Sequence, residues 1–115
     1  SKSVSYPTVE QIHCCTDAIE LQLHIPVELD CFPDHFPGAP VLPGVVQIDW
    51  VMTYAQQYLK FEGTFKGLEA LKFRNVIEPD CRLNLHIEYQ AAKQKISFSY
   101  KSSDNYYSKG RIALG

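Results

Sequence analysis

The chain has 115 residues, of which 45% are apolar and 21% charged, and this length and composition predict one compact domain over residues 1–115. Its 11 Lys and Arg stand against 13 Asp and Glu, and the net charge of −2 argues against a protein that binds nucleic acid or a membrane surface mainly through its charge. No apolar run approaches the roughly 18 residues of a membrane-spanning helix. We therefore expect a soluble, cytoplasmic protein.

The cysteines and histidines show no metal-site spacing. Four cysteines occur without a Cys-x-x-Cys pair, and we expect free, mostly buried thiols rather than a zinc site or a disulfide framework: Cys14, Cys15, Cys31 and Cys81. Three of the histidines are scattered and are expected to have no catalytic or metal-binding role: His13, His24 and His86. The sequence thus predicts no metal.

The predicted elements begin with a strand from residue 18, in which apolar and polar side chains alternate until about Pro26. Residues 31–43 contain four prolines and a glycine and predict a shaped loop. A helix is predicted from Gly44 to about Lys60. Four strands then follow, with turns at 78–80, 92–94 and 102–105; the strands are predicted at 68–76, 83–89, 96–100 and 106–114.

The predicted helix is apolar around most of its circumference, which is typical of a buried helix. The short connections between the later strands favour antiparallel pairing. Together these patterns predict an α+β fold in which an antiparallel sheet encloses one long helix. Such a sheet has an open edge, and a second copy that continues it would cover that edge, so we expect a dimer.

Three positions at the loop and the helix are candidates for chemistry. Asp49 lies on the apolar helix, where a carboxylate must be paired, hydrogen-bonded or held protonated, and either a structural or a proton-transfer role fits. His35 lies in the rigid loop before the helix, although a lone loop histidine is usually an ordinary surface residue. Gly44 begins the helix, where backbone N–H groups stabilise an oxyanion; a tight loop-to-helix turn explains the glycine equally well.

The string His-Phe-Pro-Gly-Ala-Pro-Val-Leu-Pro-Gly-Val-Val-Gln-Ile-Asp over residues 35–49 closely resembles the active-site loop and central helix of the β-hydroxyacyl-[acyl carrier protein] dehydratases, which have the hot-dog fold. Residues 73–80 resemble the next strand and turn of that family, and weaker agreement extends from Ile12 to Leu114. The short chain and the Pro-Val-Leu-Pro-Gly-Val-Val-Gln segment look most like the dehydratases of aryl-polyene biosynthesis.

The resemblance implies reversible dehydration of a 3-hydroxyacyl thioester on acyl carrier protein to a trans-2-enoyl thioester, with no metal or other cofactor. It makes His35 the base for the C2 proton, Asp49 the acid for the C3 hydroxyl, and the Gly44 N–H a donor to the thioester oxygen. The His and the Asp of one site would come from opposite subunits of a dimer or higher oligomer. Thr53 stands where the family often has Gln, and this departure leaves the orientation of Asp49 open.

The resemblance also implies an apolar tunnel for the acyl chain. Its candidate residues, each of which also fits plain core packing, are Phe36, Val45, Val46, Trp50 and Phe73. The sequence is unevenly charged, at −6 for residues 1–59 and +4 for residues 60–115, so the second half is suited to an acidic carrier protein. Docking is expected at Lys72, Arg74 and Lys93, drawn from a wider set that includes Lys66, Arg82 and Arg111.

Two other functions remain open at this point. A hot-dog thioesterase would use an acid on the same helix to activate water. A non-catalytic acyl-binding or partner subunit would lend structure to another hot-dog chain. The presence of both His35 and Asp49 favours the dehydratase.

Overall fold

Six antiparallel strands and one long helix make up the part of the chain that the computed structural model describes, residues 3–103 and 105–115. Two short 3-10 turns, Phe32–Asp34 and Ala91–Lys93, complete it. In chain order the main elements are β1 (Thr8–Cys14), β2 (Ala18–His24), α1 (Gly44–Tyr58), β3 (Phe65–Phe73), β4 (Arg82–Gln90), β5 (Lys95–Lys101) and β6 (Tyr106–Leu114).

The strands form one sheet in the order β1-β2-β4-β5-β6-β3, so that β1 and β3 are its edges. The chain crosses from β2 to the far edge through α1 and then returns to the middle of the sheet. Short connections join β4 to β5 and β5 to β6, and each of these pairs is antiparallel. This is the α+β arrangement that the sequence predicts.

The core lies between α1 and one face of the sheet. Alternate residues of the central strands point into it, as the period of two requires, and Leu21, Leu85 and Ile96 are fully buried there. The helix contributes Trp50 and Val51 to the same cluster. The sheet therefore acts as the platform on which the start of the helix is placed.

The boundaries lie within about two residues of the predicted ones except at β1 and β3. Strand β1 was not predicted, because a bulge between Val9 and Gln11 breaks the alternation on which strand prediction depends. Strand β3 runs from Phe65 to Phe73 rather than over 68–76. The helix ends at Tyr58, two residues early. In the predicted turn at 102–105, Asp104 lies outside the described residues.

The prediction that α1 is buried nearly all round is wrong. The helix rests on a single sheet, which covers one of its faces and leaves the opposite face open. Val45 is 76% exposed and Asp49 is also exposed, whereas Trp50 is fully buried. An apolar face thus remains uncovered in the single chain.

The four cysteines are free, but the expectation of mostly buried thiols is wrong. Cys14, the last residue of the edge strand β1, and Cys15, which follows it, are exposed. Cys31 and Cys81 are half-buried, and burial raises the pKa of both thiols. Within the described part of the chain, no helix is long and apolar enough to cross a membrane.

Candidate active site

The proline-rich loop before α1 is anchored at both ends and turns sharply in its middle. Phe32 and Leu42 are buried in the core at either end. Between them, the backbone groups of Phe36 and Ala39 exchange two hydrogen bonds, N to O, of 3.2 and 2.9 Å. Gly38 has a φ of +78° at the third position of this turn and follows Pro37, and both residues are typical of these positions in a type II turn. The loop therefore has a defined shape.

His35 stands at the entrance to this turn, with its backbone bonded on both sides. Its N–H donates to the Phe32 carbonyl at 3.2 Å, and its carbonyl accepts from the N–H of Val41. The imidazole lies against the edge of the Phe36 ring, with 5.4 Å between the ring centroids. Since the side chain is exposed, the loop presents the imidazole outward from this chain.

The first turn of α1 leaves backbone donors unpaired within the helix. The Pro43 carbonyl accepts from the N–H groups of Val46 and Gln47, both at 3.1 Å. The N–H groups of Gly44 and Val45 have no acceptor within the helix, as at any helix start. They lie at the positive end of the helix dipole, which favours an anion or a developing oxyanion.

A groove of about 230 Å³ opens beside this helix start. It lies between α1 and the end of β3, and it is lined by Leu42, Gly44, Gln47, Phe73, Arg74, Asn75 and Val76. A Cβ added to Gly44 would come within 2.6 Å of the tip of the Phe73 ring. An alanine at position 44 would therefore force the Phe73 ring to move, and two residues that the sequence analysis treated separately are brought together.

Gln47 is a buried polar residue of the site that the sequence analysis missed. It is only 3% exposed. Its amide donates to the Leu42 carbonyl at 3.2 Å and accepts from the Ser108 hydroxyl at 2.6 Å. Tyr100 donates to its backbone carbonyl at 2.6 Å. Burial raises the pKa of Tyr100 well above its usual range, helped by nearby Tyr54 and Asp49, so the phenol is a neutral donor.

Asp49 lies on the uncovered face of α1, and the expectation that it is buried is wrong for the single chain. Along the helix its nearest neighbours on that face are Val45, Met52 and Thr53, one turn before and one turn after. The side chain is exposed because the sheet covers only the opposite face. Neither Asp49 nor His35 lines the groove at the helix start.

The candidates for the acyl tunnel fall into two groups. Exposed or partly exposed apolar side chains occur on the loop, the helix start and β3: Phe36, Val45, Val46 and Phe73. Trp50 is different, because it is fully buried and its indole N–H donates to the Ser5 carbonyl at 3.0 Å. Trp50 is thus a core residue that ties the N-terminal segment to the helix.

The three basic residues expected to dock a carrier protein line three different grooves. Arg74 lines the groove at the helix start. Lys72 points into a groove on the outer face of the sheet with Lys109 and Arg111. Lys93 lines a third groove near the start of β5. These residues therefore do not form one compact patch.

Comparison with known proteins identifies a family whose sequence model matches this chain. The sequence model of the ApeI-like family, described as ApeI dehydratase, matches residues 10–111. Among curated proteins, the chain is similar to the 3-hydroxyacyl-[acyl-carrier-protein] dehydratase FabZ of Erythrobacter litoralis, at 35% identity over 56% of the chain and 49% of that protein. The chain spans about half the length of the first curated relatives it matches.

Two solved structures resemble the whole fold. A chain of the dehydratase heterocomplex ApeI:P from Xenorhabdus doucetiae has a TM-score of 0.88 and 36% identity, over 95% of this chain and 97% of that one. An uncharacterized protein from Erwinia carotovora subsp. atroseptica has a TM-score of 0.77 and 34% identity, over 96% of both chains. The likeness confirms the expected hot-dog fold.

Proposed function

The chain belongs to the ApeI-like dehydratase family, and on that premise we propose that it reversibly dehydrates 3-hydroxyacyl thioesters on acyl carrier protein to trans-2-enoyl thioesters. One observation carries the proposal. A hydrogen-bonded segment joins the loop with His35 directly to a helix start whose N–H groups have no acceptor within the helix. The names of the FabZ relatives support the carrier-linked substrate, and the family supports a role in aryl-polyene-like synthesis.

The proposed reaction divides proton transfer between two side chains. Neutral His35 removes the C2 proton of the thioester, and the Gly44 N–H donates to the thioester oxygen as negative charge develops there. The electron pair from the C2–H bond then forms the C2–C3 double bond. Asp49, in its protonated form, gives its proton to the C3 hydroxyl, the C3–O bond breaks with its electron pair going to oxygen, and water leaves. Proton exchange through solvent restores both side chains, and in the reverse direction the same groups add water.

We further propose that a second chain completes the site. His35 and Asp49 are both exposed here, and in the resemblance they act together from opposite subunits. The uncovered helix face around Asp49 is apolar at Val45, and the edge strand β3 exposes Phe65 and Leu68. A second copy that continues the sheet at β3 would cover both surfaces and pair the open β3 edge.

The acyl chain and the carrier protein would meet this assembly at separate surfaces. We assign the acyl chain to the apolar side chains around the helix start, namely Phe36, Val45, Val46 and Phe73, with Trp50 supporting them from the core. Carrier docking is assigned mainly to Arg74, which lines the same groove as Gly44, and to Lys72 two residues before it. Lys93 lines a separate groove and would add a second contact. The free thiols support a reducing, cytoplasmic location.

The test is hydration of a trans-2-enoyl thioester on acyl carrier protein, followed by mass spectrometry. The native chain should add water, and His35→Ala and Asp49→Asn should each abolish the addition. Both side chains are exposed in the single chain, so each change should alter the free energy of unfolding of that chain by less than about 0.5 kcal/mol. His13→Ala and Asp17→Asn are the matched controls, since they make the same changes at exposed positions away from the loop and the helix. Full activity in either site variant would overturn the assignment, and release of a free thiol would favour a thioesterase.

A second candidate function is that of a subunit in a mixed assembly. It is favoured by the structural relative, which occurs in a dehydratase heterocomplex. In that case the chain covering the Asp49 face would be a different protein, and this chain alone would be inactive. Native mass spectrometry of the purified chain separates the two cases, because a homodimer of active protein excludes any need for another subunit.

A further inference from the structure

Three neighbouring strands place one row of side chains beneath the start of α1. Tyr100 of β5 is paired in register with Ser108 of β6, and Ser108 is paired in register with Phe73 of β3. Each member of this row contacts the first turn of the helix. Tyr100 and Ser108 donate hydrogen bonds to Gln47, and the Phe73 ring packs against Gly44.

The hydrogen bonds fix which way the Gln47 amide points. The Leu42 carbonyl can only accept, so the amide nitrogen of Gln47 must face it, at 3.2 Å. The amide oxygen then faces Ser108, whose hydroxyl must be the donor. Leu42 is held at its other backbone group too, because its N–H donates to the Ile77 carbonyl at 2.8 Å.

We propose that Gln47 is a positioning residue. Together with Ser108 and Tyr100, it fixes the position of the Leu42–Gly44 backbone relative to the sheet. This inference rests on the proposed function, in which the Gly44 N–H donates to the thioester oxygen. The segment joins the loop with His35 to the helix with Asp49, so its place determines where all three groups stand. Gln47 acts on the reaction through that backbone.

Core packing alone does not account for an amide at this position. An apolar side chain of similar size would fill the same volume, but it would leave the Leu42 carbonyl and the Ser108 hydroxyl without their partner. A buried polar network stabilises the fold only when every polar group in it has a hydrogen-bond partner. In this network the Gln47 side chain is paired with both the Leu42 carbonyl and the Ser108 hydroxyl, and the Tyr100 hydroxyl is paired with the Gln47 carbonyl. Such a network favours one position of the helix start over others.

The test compares Gln47→Leu, Ser108→Ala and Tyr100→Phe with native protein, using the full chain in the assembly that it forms. We expect kcat for enoyl-thioester hydration to fall about 100-fold in Gln47→Leu, because a shift of about 1 Å at a reacting group costs that much. Ser108→Ala and Tyr100→Phe each remove one of the bonds and should cost about tenfold, with KM changed less than about threefold in all three variants. Ile112→Val is the matched control, since it alters the core on the same strand as Ser108 without touching the network.

Amide hydrogen exchange supplies a readout that does not depend on activity. Exchange over residues 36–46 should become faster in Gln47→Leu and Ser108→Ala but not in Ile112→Val. Native kcat in Gln47→Leu, or a loss no greater than in Ile112→Val, would overturn the inference, as would unchanged exchange in that segment. If native protein adds no water, the proposed function fails, and the exchange experiment alone decides whether Gln47 positions the segment.

Discussion

The contact between Gly44 and Phe73 gives the sharpest test of the helix start. In Gly44→Ala the new methyl would lie 2.6 Å from the Phe73 Cζ atom and 3.0 Å from Cε1, so the ring must move. The ring is 50% exposed and this atom is its far end, which allows it to swing away from the helix. The change thus places a methyl beside the N–H group that the proposed reaction uses.

The expected loss of stability in Gly44→Ala is small. Alanine is favoured over glycine in a helix by up to about 1 kcal/mol. Displacing a packed ring costs about 1–3 kcal/mol, and the partial exposure of Phe73 places this case at the lower end of that range. The two terms nearly cancel and leave at most about 1 kcal/mol of destabilisation, which lowers Tm by about 4 °C in a domain of this size.

The expected loss of activity in Gly44→Ala is much larger. The methyl and the displaced ring both enter the groove where the thioester oxygen is proposed to bind, and misplacement of about 1 Å costs on the order of 100-fold in rate. The assay is kcat/KM for hydration of a trans-2-enoyl thioester on acyl carrier protein, with Tm measured on the same samples. Gly67→Ala is the matched control, because a Cβ there has nothing within 4 Å.

A native kcat/KM in Gly44→Ala would refute the placement of the thioester at the helix start. The variant Phe73→Ala separates the two causes of a loss. If the displaced ring is responsible, combining Phe73→Ala with Gly44→Ala restores activity to that of Phe73→Ala alone. If the methyl itself blocks the N–H group, the double variant stays as slow as Gly44→Ala.

Two further predictions concern the core and the outer face of the sheet. Trp50→Phe should lower the unfolding free energy by about 2 kcal/mol, because it removes buried surface and leaves the Ser5 carbonyl without its indole donor. Chemical denaturation measures this loss, and an unchanged denaturation midpoint would contradict the prediction. The pKa of Glu69 is lowered from 4.5, mainly by its hydrogen bond to Lys95 at 2.6 Å, so its ionised form stabilises the fold. That stabilisation is present above pH 4.5 and is lost as the pH falls through the lowered pKa. Glu69→Gln should therefore melt below native protein at pH 7 and converge with it in acid, whereas a gap that widens in acid would exclude the ion pair as its cause.

The sequence predicts most of the fold because its strongest patterns are local. The alternation in β2, β4 and β5 and the Pro-Gly entry to α1 each depend on neighbouring residues, and all were confirmed within a few positions. Strand β1 escaped prediction because its bulge between Val9 and Gln11 removes the period of two. A pattern of that kind becomes visible only when the partner strand is known.

The candidate site was less predictable, since burial depends on what covers a residue rather than on the residue itself. Asp49 has apolar neighbours in the sequence, yet it lies on the face that the sheet leaves open. Gln47 has equally apolar neighbours and lies on the covered face, where its partners Ser108 and Tyr100 come from strands more than 50 residues later. Two polar residues two positions apart on one helix therefore have opposite environments, and only the three-dimensional arrangement separates them.

The opposite environments of these two residues explain how a single helix serves both the fold and the proposed reaction. The covered face is fixed by the hydrogen bonds of Gln47 to the sheet, and this places the helix start beside Phe73. The open face carries the proposed acid, Asp49, toward whatever chain covers it. Asp49 must face a partner chain to complete the proposed site, so it cannot be buried in the core of its own chain. The sheet therefore fixes the position of the helix, while the covering chain determines the surroundings of its carboxyl group.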